Sequence, residues 1–231
     1  MESSSNGNAV LLGCAAGSYE GSLFGWDMLS NDEGAVALDM TYGFHCSNGS
    51  LRCIAISPNN KFLVCGGTNE IIRIFDMKTK KNVGDLMKHT GSIVCLQFVG
   101  DSFLLSGSED STICIWRVSD WQCLHILGGH KDCVQDLSCH PSGKVALSVG
   151  KDKSLRLWNL ITGKIGFTRS LKNCPSKVKW NCNTINEGSN YLIVYDTELH
   201  NHLASDNSCT CIISKSKYVR INQADYVMKI A

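Results

Sequence analysis

The chain has 231 residues, 43% of them hydrophobic, and a formal net charge of +1. That length can bury a substantial core, and the near-neutral balance excludes a whole-chain electrostatic pull toward nucleic acid or an anionic membrane. No run approaches the roughly 20 apolar residues that a membrane-spanning helix needs, and 21 glycines against three prolines suit a chain of many tight turns.

Residues 1–8, MESSSNGN, are polar and read as a disordered N-terminus. The apolar run AVLLGCAAG that follows lacks a basic flank, so no secretory signal is read. Residues 9–43 read as N-terminal strands, two of them around the Gly-rich turn of VLLGCAAGSYEGSLFGWDML, followed by a surface loop at SNDEGA. From residue 44 the chain repeats itself. FLVCGGTNEIIRIF ends at Phe75, FLLSGSEDSTICIW at Trp116 and VALSVGKDKSLRLW at Trp158, at spacings of 41 and 42 residues. A histidine lies upstream of each aromatic: His45, His89 and His130. An apolar alternation follows each histidine (LRCIAIS, IVCLQF, VQDLSC), and a candidate fourth strand follows each aromatic (KNVGDLM, WQCLHIL, KIGFTRS).

Short strands at intervals of about ten residues, bounded by Gly, Asn, Asp and Ser, predict an antiparallel all-β protein. Four strands in a repeat of about 40–45 residues predict a β-propeller blade, whose two faces are buried only by stacking on its neighbours. The units are 44–85, 86–127 and 128–170. Residues 171–203 read as a degenerate unit with Tyr195 as its aromatic landmark, and 204–231 as partial C-terminal strands. About five blades or fewer are expected, hence an incomplete propeller with exposed strand edges, poorly soluble or dependent on a partner.

The 13 cysteines are not arranged as a secreted scaffold. Cys53, Cys65, Cys95 and Cys114 sit inside apolar runs, where cysteine acts as a small buried hydrophobe. Their number is odd and no Cys-x-x-Cys occurs, so a reducing, cytoplasmic or nuclear compartment is expected.

A histidine, a second-strand serine, a turn aspartate and a third-strand tryptophan on a 42-residue repeat resemble the WD40 family from about Phe44 to Arg169. Trp–Asp dipeptides are absent; the aromatics are followed by Asp, Arg and Asn. Over roughly residues 10–200, runs such as AGSYEGSLFGW, IFDMKTKK and HPSGKVALSVGKDKSLRLWNL also resemble the p21-activated protein kinase-interacting protein 1 family. That resemblance implies a nuclear or nucleolar scaffold that assembles the large ribosomal subunit and negatively regulates p21-activated kinase signalling. Its implied partners are the kinase and pre-60S assembly factors; the basic residues Lys78 to Lys81, Lys151 and Lys153 leave an indirect rRNA contact open. Family members are generally longer, with a Lys-rich tail, so a cytoplasmic location is also open to this shorter form. An adaptor of another complex, such as a ubiquitin ligase, is the alternative.

Ser106, Asp110 and His89 form a set compatible with acyl transfer, but the same types recur with a tryptophan as Ser148, Asp152, His130 and Trp158. A triad is needed once per active site; a brace is needed once per blade. The WD40 resemblance implies the brace: Asp accepts from His, His is held near Ser, and the Ser hydroxyl meets the indole N–H of Trp116 or Trp158. The first unit carries Cys65, Asn69 and Phe75 beside His45, and Phe has no N–H to satisfy.

No metal site is expected. Cys133, Cys139 and His140, and His200, His202, Cys209 and Cys211, lack the spacing of paired zinc knuckles. GGTNE and GSED are strand-to-strand turns rather than phosphate loops, and the basic run KTKK is read as a solvated turn. No cofactor, membrane partner, small-molecule substrate or catalytic residue is expected. The candidate partner-binding rim is Glu109, Ser111, Lys131, Asp132, Lys151 and Lys153.

Overall fold

The computed structural model describes residues 9–30, 36–46, 49–181, 190–204 and 209–214; the predicted disordered N-terminus, most of the SNDEGA loop and the last 17 residues lie outside these. The described residues form 19 β-strands and no helix. They make five antiparallel sheets in chain order, one of three strands and four of four.

The first sheet comprises β1 (Ala9–Gly17), β2 (Ser22–Ser30) and β3 (Val36–His45). The second comprises β4 (Leu51–Ile56), β5 (Phe62–Gly67), β6 (Ile71–Asp76) and β7 (Lys81–Met87). The third runs through β8 (Ile93–Val99), β9 (Phe103–Ser108), β10 (Ile113–Arg117) and β11 (Gln122–Leu127). The fourth runs through β12 (Val134–Cys139), β13 (Val145–Gly150), β14 (Ser154–Asn159) and β15 (Lys164–Ser170). The fifth is β16 (Lys177–Asn181), β17 (Asn190–Val194), β18 (Glu198–Leu203) and β19 (Cys209–Ser214).

Each sheet packs face to face on the next, and the core lies in the gaps. Ala15, Leu23, Leu63 and Phe75 fill the first gap. Val64, Ile74, Phe98 and Trp116 fill the second, Leu105, Leu127, Leu137 and Trp158 the third, and Leu147, Val178, Tyr191 and Ile193 the fourth. Second strands are therefore buried on both faces, as in the run LVCGG of β5. Outermost strands such as β7 and β11 are mostly exposed. Contacts run from the first sheet to the fifth in order, through β1–β4, β4–β8, β8–β12 and β12–β16. Among the described residues the fifth sheet does not close onto the first, so the fold is an incomplete β-propeller.

A register shift between the third and fourth strands marks equivalent positions in these sheets. It falls just before Phe75, Trp116, Trp158 and His202. In the three-stranded sheet the same shift falls between β2 and β3, just before Trp26. Bulges of this kind bend a strand locally and so preserve a blade's shape. β2 is thus a third strand, β3 a fourth and β1 a second. A Cβ on Gly17 would lie 3.0 Å from Leu51, one on Gly66 2.8 Å from Ile93, and one on Gly107 2.9 Å from Val134. The end of a second strand meets the start of the next blade's first strand at each of these places, and glycine permits the approach. Among the described residues, the first sheet therefore lacks its innermost strand.

Three details differ from the sequence reading. β3, running through the expected boundary at 43/44, is a third N-terminal strand where two were expected. Tyr195 follows β17 and bonds backbone to backbone with Glu198, so it occupies the turn; His202 takes the landmark position. β19 is the outer strand of that same sheet rather than part of a separate segment.

Candidate functional site

The turn after each second strand and the loop before each first strand converge on one end of the blades. In the third sheet, Ser106 on β9 faces His89, which lies just past β7. His89 Nε2 is 2.8 Å from Ser106 Oγ and its Nδ1 is 2.9 Å from Asp110 Oδ2. Trp116 donates its indole N–H to the same Ser106 Oγ at 2.8 Å. An ionised Asp110 can only accept, so the proton of a neutral His89 stands on Nδ1, and its Nε2 accepts the Ser106 hydroxyl hydrogen.

The fourth sheet repeats the arrangement. His130 Nε2 lies 2.7 Å from Ser148 Oγ, Trp158 donates to that oxygen at 2.7 Å, and both Asp152 oxygens are 3.1 Å from His130 Nδ1. Each aspartate also closes its own turn. Asp110 accepts the amides of Thr90 and Thr112 at 3.0 and 2.8 Å, and Asp152 those of Lys131 and Ser154 at 3.0 and 3.1 Å. Burial pushes both carboxyls up, but these hydrogen bonds outweigh it and hold Asp110 and Asp152 below the ordinary carboxylate range. Burial pushes His130 down, partly offset by Asp152, and favours the neutral ring.

Ser106 and Ser148 are completely buried, at 0% exposure. Their oxygens already have a tryptophan donor and a histidine acceptor. No substrate carbonyl reaches them, so the Ser–His–Asp order does not give an accessible nucleophile.

The second sheet is built differently. His45 is exposed at the end of β3, opposite Ser22. The next residue, Cys46, is buried in the same core cluster as Cys65, and its thiol donates to the Phe44 carbonyl at 3.8 Å. The neighbouring Cys65 thiol lowers that of Cys46, and the Cys46 thiol, with burial, raises that of Cys65. Phe75 stacks on Phe44 at 5.2 Å rather than donating to a serine. Asn69 is half-buried in the following turn. Counting back from Cys65, Cys46 is 19 residues away, close to the 17 and 18 residues that separate each braced histidine from its serine.

The rim candidates gather around these networks. Lys131, Asp132, Lys151 and Lys153 are exposed about the His130–Asp152 turn, and Ser111 is half-buried beside Asp110. Ser111 and Lys153 occupy the same left-handed turn position, with φ of 67° and 54°. Glu109 is already engaged: Arg52 of the preceding blade donates to it at 2.6 Å and holds its carboxyl below the ordinary range.

A set of inter-blade ties was not visible from residue types. Cys139 N–H donates to Gln97 Oε1, Val178 N–H to Asp136 Oδ2 and Trp180 N–H to Ser138 Oγ, each at 3.0 Å and each across 42 residues. Asp136 is 6% exposed, with Lys177 Nζ 3.8 Å away, and burial raises its carboxyl. The repeat length itself was the signal, since each tie joins equivalent positions on adjacent innermost strands.

The metal-ligand candidates separate. Cys133 is buried, Cys139 half-buried, and His140 is bonded to Ser142 and packed edge-on against Trp180. By contrast, His200, His202 and Cys209 bring one ligand atom each within 4.8 Å of one another. The side chain of Cys211 lies outside the described residues. No disulfide is found among the described residues.

The WD domain, G-beta repeat model matches residues 38–76, 80–117 and 121–159. The chain is 40% identical over 204 residues to a Gallus gallus protein named p21-activated protein kinase-interacting protein 1-like, covering 88% of this chain and 53% of that one. It is 37% identical to the Homo sapiens p21-activated protein kinase-interacting protein 1 over 88% of this chain and 52% of that one. Protein MAK11 of Saccharomyces cerevisiae is 39% identical over 52% of this chain and 33% of its own length. The chain thus spans about half the length of the vertebrate relatives it matches.

Proposed function

Because this chain belongs to the WD40 repeat family, we propose that it is a noncatalytic protein-interaction scaffold acting in large ribosomal subunit assembly and restraining a p21-activated kinase. The observation that carries the noncatalytic part is the sealing of both Ser–His–Asp sets. Their reactive atoms are spent on a tryptophan N–H inside each blade, at 2.8 and 2.7 Å. A buried indole N–H left unpaired costs about 1–3 kcal/mol, which is reason enough to keep the network.

The kinase part draws on the names of the relatives, which describe interaction with a p21-activated kinase. A kinase-binding name recurs in a Schizosaccharomyces pombe relative, Shk1 kinase-binding protein 15, at 29% identity over 58% of this chain. The ribosomal part, and a nucleolar or nuclear location, draw on the family resemblance of HPSGKVALSVGKDKSLRLWNL and its companion runs. The partner surface is the rim of Lys131, Asp132, Lys151 and Lys153, where exposed charges stand on a backbone fixed by the brace beneath. Glu109 and Ser111 extend it toward the third sheet.

Affinity purification of the tagged chain from cells, followed by mass spectrometry, tests the reading. Recovery of a p21-activated kinase and pre-60S assembly factors is expected, and both are expected to fall when Lys151 and Lys153 are changed to Glu. A chain that recovers neither class contradicts it.

A further inference from the structure

The fifth sheet departs from its neighbours at the two positions that carry the brace. Register equivalence puts His202 where Trp116 and Trp158 stand, and Ile193 where Ser106 and Ser148 stand. The tryptophan–serine bond has no counterpart there, and imidazoles occupy the face. Glu198, His200 and His202 alternate along β18, so their side chains share one side of the strand. Cys209 on β19 is the direct partner of His202. His200, His202 and Cys209 each bring a ligand atom within 4.8 Å of the others.

We propose that His200, His202 and Cys209 bind a borderline-soft divalent metal ion of the zinc class. Two imidazole nitrogens and a thiolate suit Zn²⁺, which takes N and S ligands in tetrahedral geometry and completes its shell with water or a partner's side chain. Paired-strand geometry supplies what sequence spacing did not: the ligands come from i and i+2 on one strand and from the cross-strand neighbour, rather than from a knuckle.

The surroundings fit this assignment. His200 Nε2 is 2.8 Å from Glu198 Oε2, so the carboxylate orients the ring and leaves Nδ1 as its ligand atom. A carboxylate behind a ligating histidine is the usual supporting contact and raises the ring's basicity. His202 is stacked on Tyr191 with ring centroids 5.3 Å apart, and Tyr195 packs against His200 at 4.7 Å. The rings are therefore held on the protein while Cys209 is exposed, leaving an approach from solvent.

One neighbour opposes the ion. Arg169, on β15 of the preceding blade, donates to His202 Nδ1 at 3.2 Å. The ring proton is then on Nε2. Binding at either nitrogen requires Arg169 to withdraw: at Nδ1 because the ion takes its place, at Nε2 because the ring proton must move to Nδ1. Cys209 gives up its thiol proton to solvent on binding. Metal occupancy and the Arg169 contact are alternatives, which couples the site to the packing of the fourth and fifth blades.

The test is a Co²⁺ titration of the whole chelator-stripped chain, read by the thiolate-to-cobalt charge-transfer and d–d bands, with Zn²⁺ as competitor. One equivalent of Co²⁺, displaced by Zn²⁺, is expected. The charge-transfer band should vanish in Cys209→Ser, an exposed substitution whose folding is checked by circular dichroism. Affinity should fall about 10–100-fold in Glu198→Gln and rise in Arg169→Met. A band that persists unchanged in Cys209→Ser, or a wild-type chain that binds no Co²⁺, overturns the site. An unchanged affinity in Arg169→Met overturns the competition.

Discussion

The second and fourth sheets share strand order, bulge position and burial, yet they solve the same local problem with different chemistry. In the fourth, Trp158, Ser148, His130 and Asp152 form a closed polar chain. In the second, Phe75 stacks on Phe44 instead, and the buried thiols of Cys65 and Cys46 stand in the places of the serine and the histidine. The difference teaches that the blade backbone does not require the polar chain; the tryptophan N–H does. Once the aromatic has no donor, serine and histidine lose their task together. This covariation among the buried aromatics separates bracing from catalysis, because a reaction would have no reason to track the presence of a buried indole; Trp26, at the same place in the first sheet opposite no serine, is only half-buried.

The comparison breaks most visibly at the two equivalent second-strand positions. Ser148→Ala leaves both Trp158 Nε1 and His130 Nε2 without their partner in a buried place, and should cost about 1–3 kcal/mol. Cys65→Ala removes a buried sulfur but strands no indole, and should cost about 0.5–1.5 kcal/mol, the range of a small core truncation. Urea midpoints at unchanged slope read both values. Equal losses at the two sites would remove the distinction.

A smaller effect is expected from acid. His130 is held neutral, its folded pKa below the ordinary value. As pH falls from about 6.5, the unfolded chain takes up a proton that the folded blade refuses, so stability drops. The contributions of Asp110 and Asp152 are complete above about pH 3.9 and are lost as pH falls through their lowered folded values. All three act in the same direction. Hydrogen exchange as a function of pH should therefore show the third and fourth sheets loosening before the second, where Cys46 stands in place of the imidazole.

Much of this was legible because the brace constrains residue type. Only tryptophan brings an indole N–H, and the Ser, His and Asp that answer it are spelled out at fixed offsets from Trp116 and Trp158. Where that constraint lapsed, reading by residue type misled. His45 satisfied the pattern, but the buried thiol of Cys46 satisfied the geometry. Tyr195 looked like a landmark because it is aromatic, whereas the bulge assigns that place to His202. The ties from Gln97, Asp136 and Ser138 were hidden for another reason. They accept backbone N–H groups, a task open to many side chains, so no residue type marks them. The cluster of His200, His202 and Cys209 depends on strand pairing, which spacing along the chain does not encode.

Ser148 is present to satisfy the indole N–H of Trp158. A double-mutant cycle tests this most directly, with Ser148→Ala, Trp158→Phe and the pair compared by urea unfolding. The double variant should lose at least about 1 kcal/mol less than the two single losses combined, because removing the indole N–H removes most of the need for the hydroxyl. Strictly additive losses would contradict it.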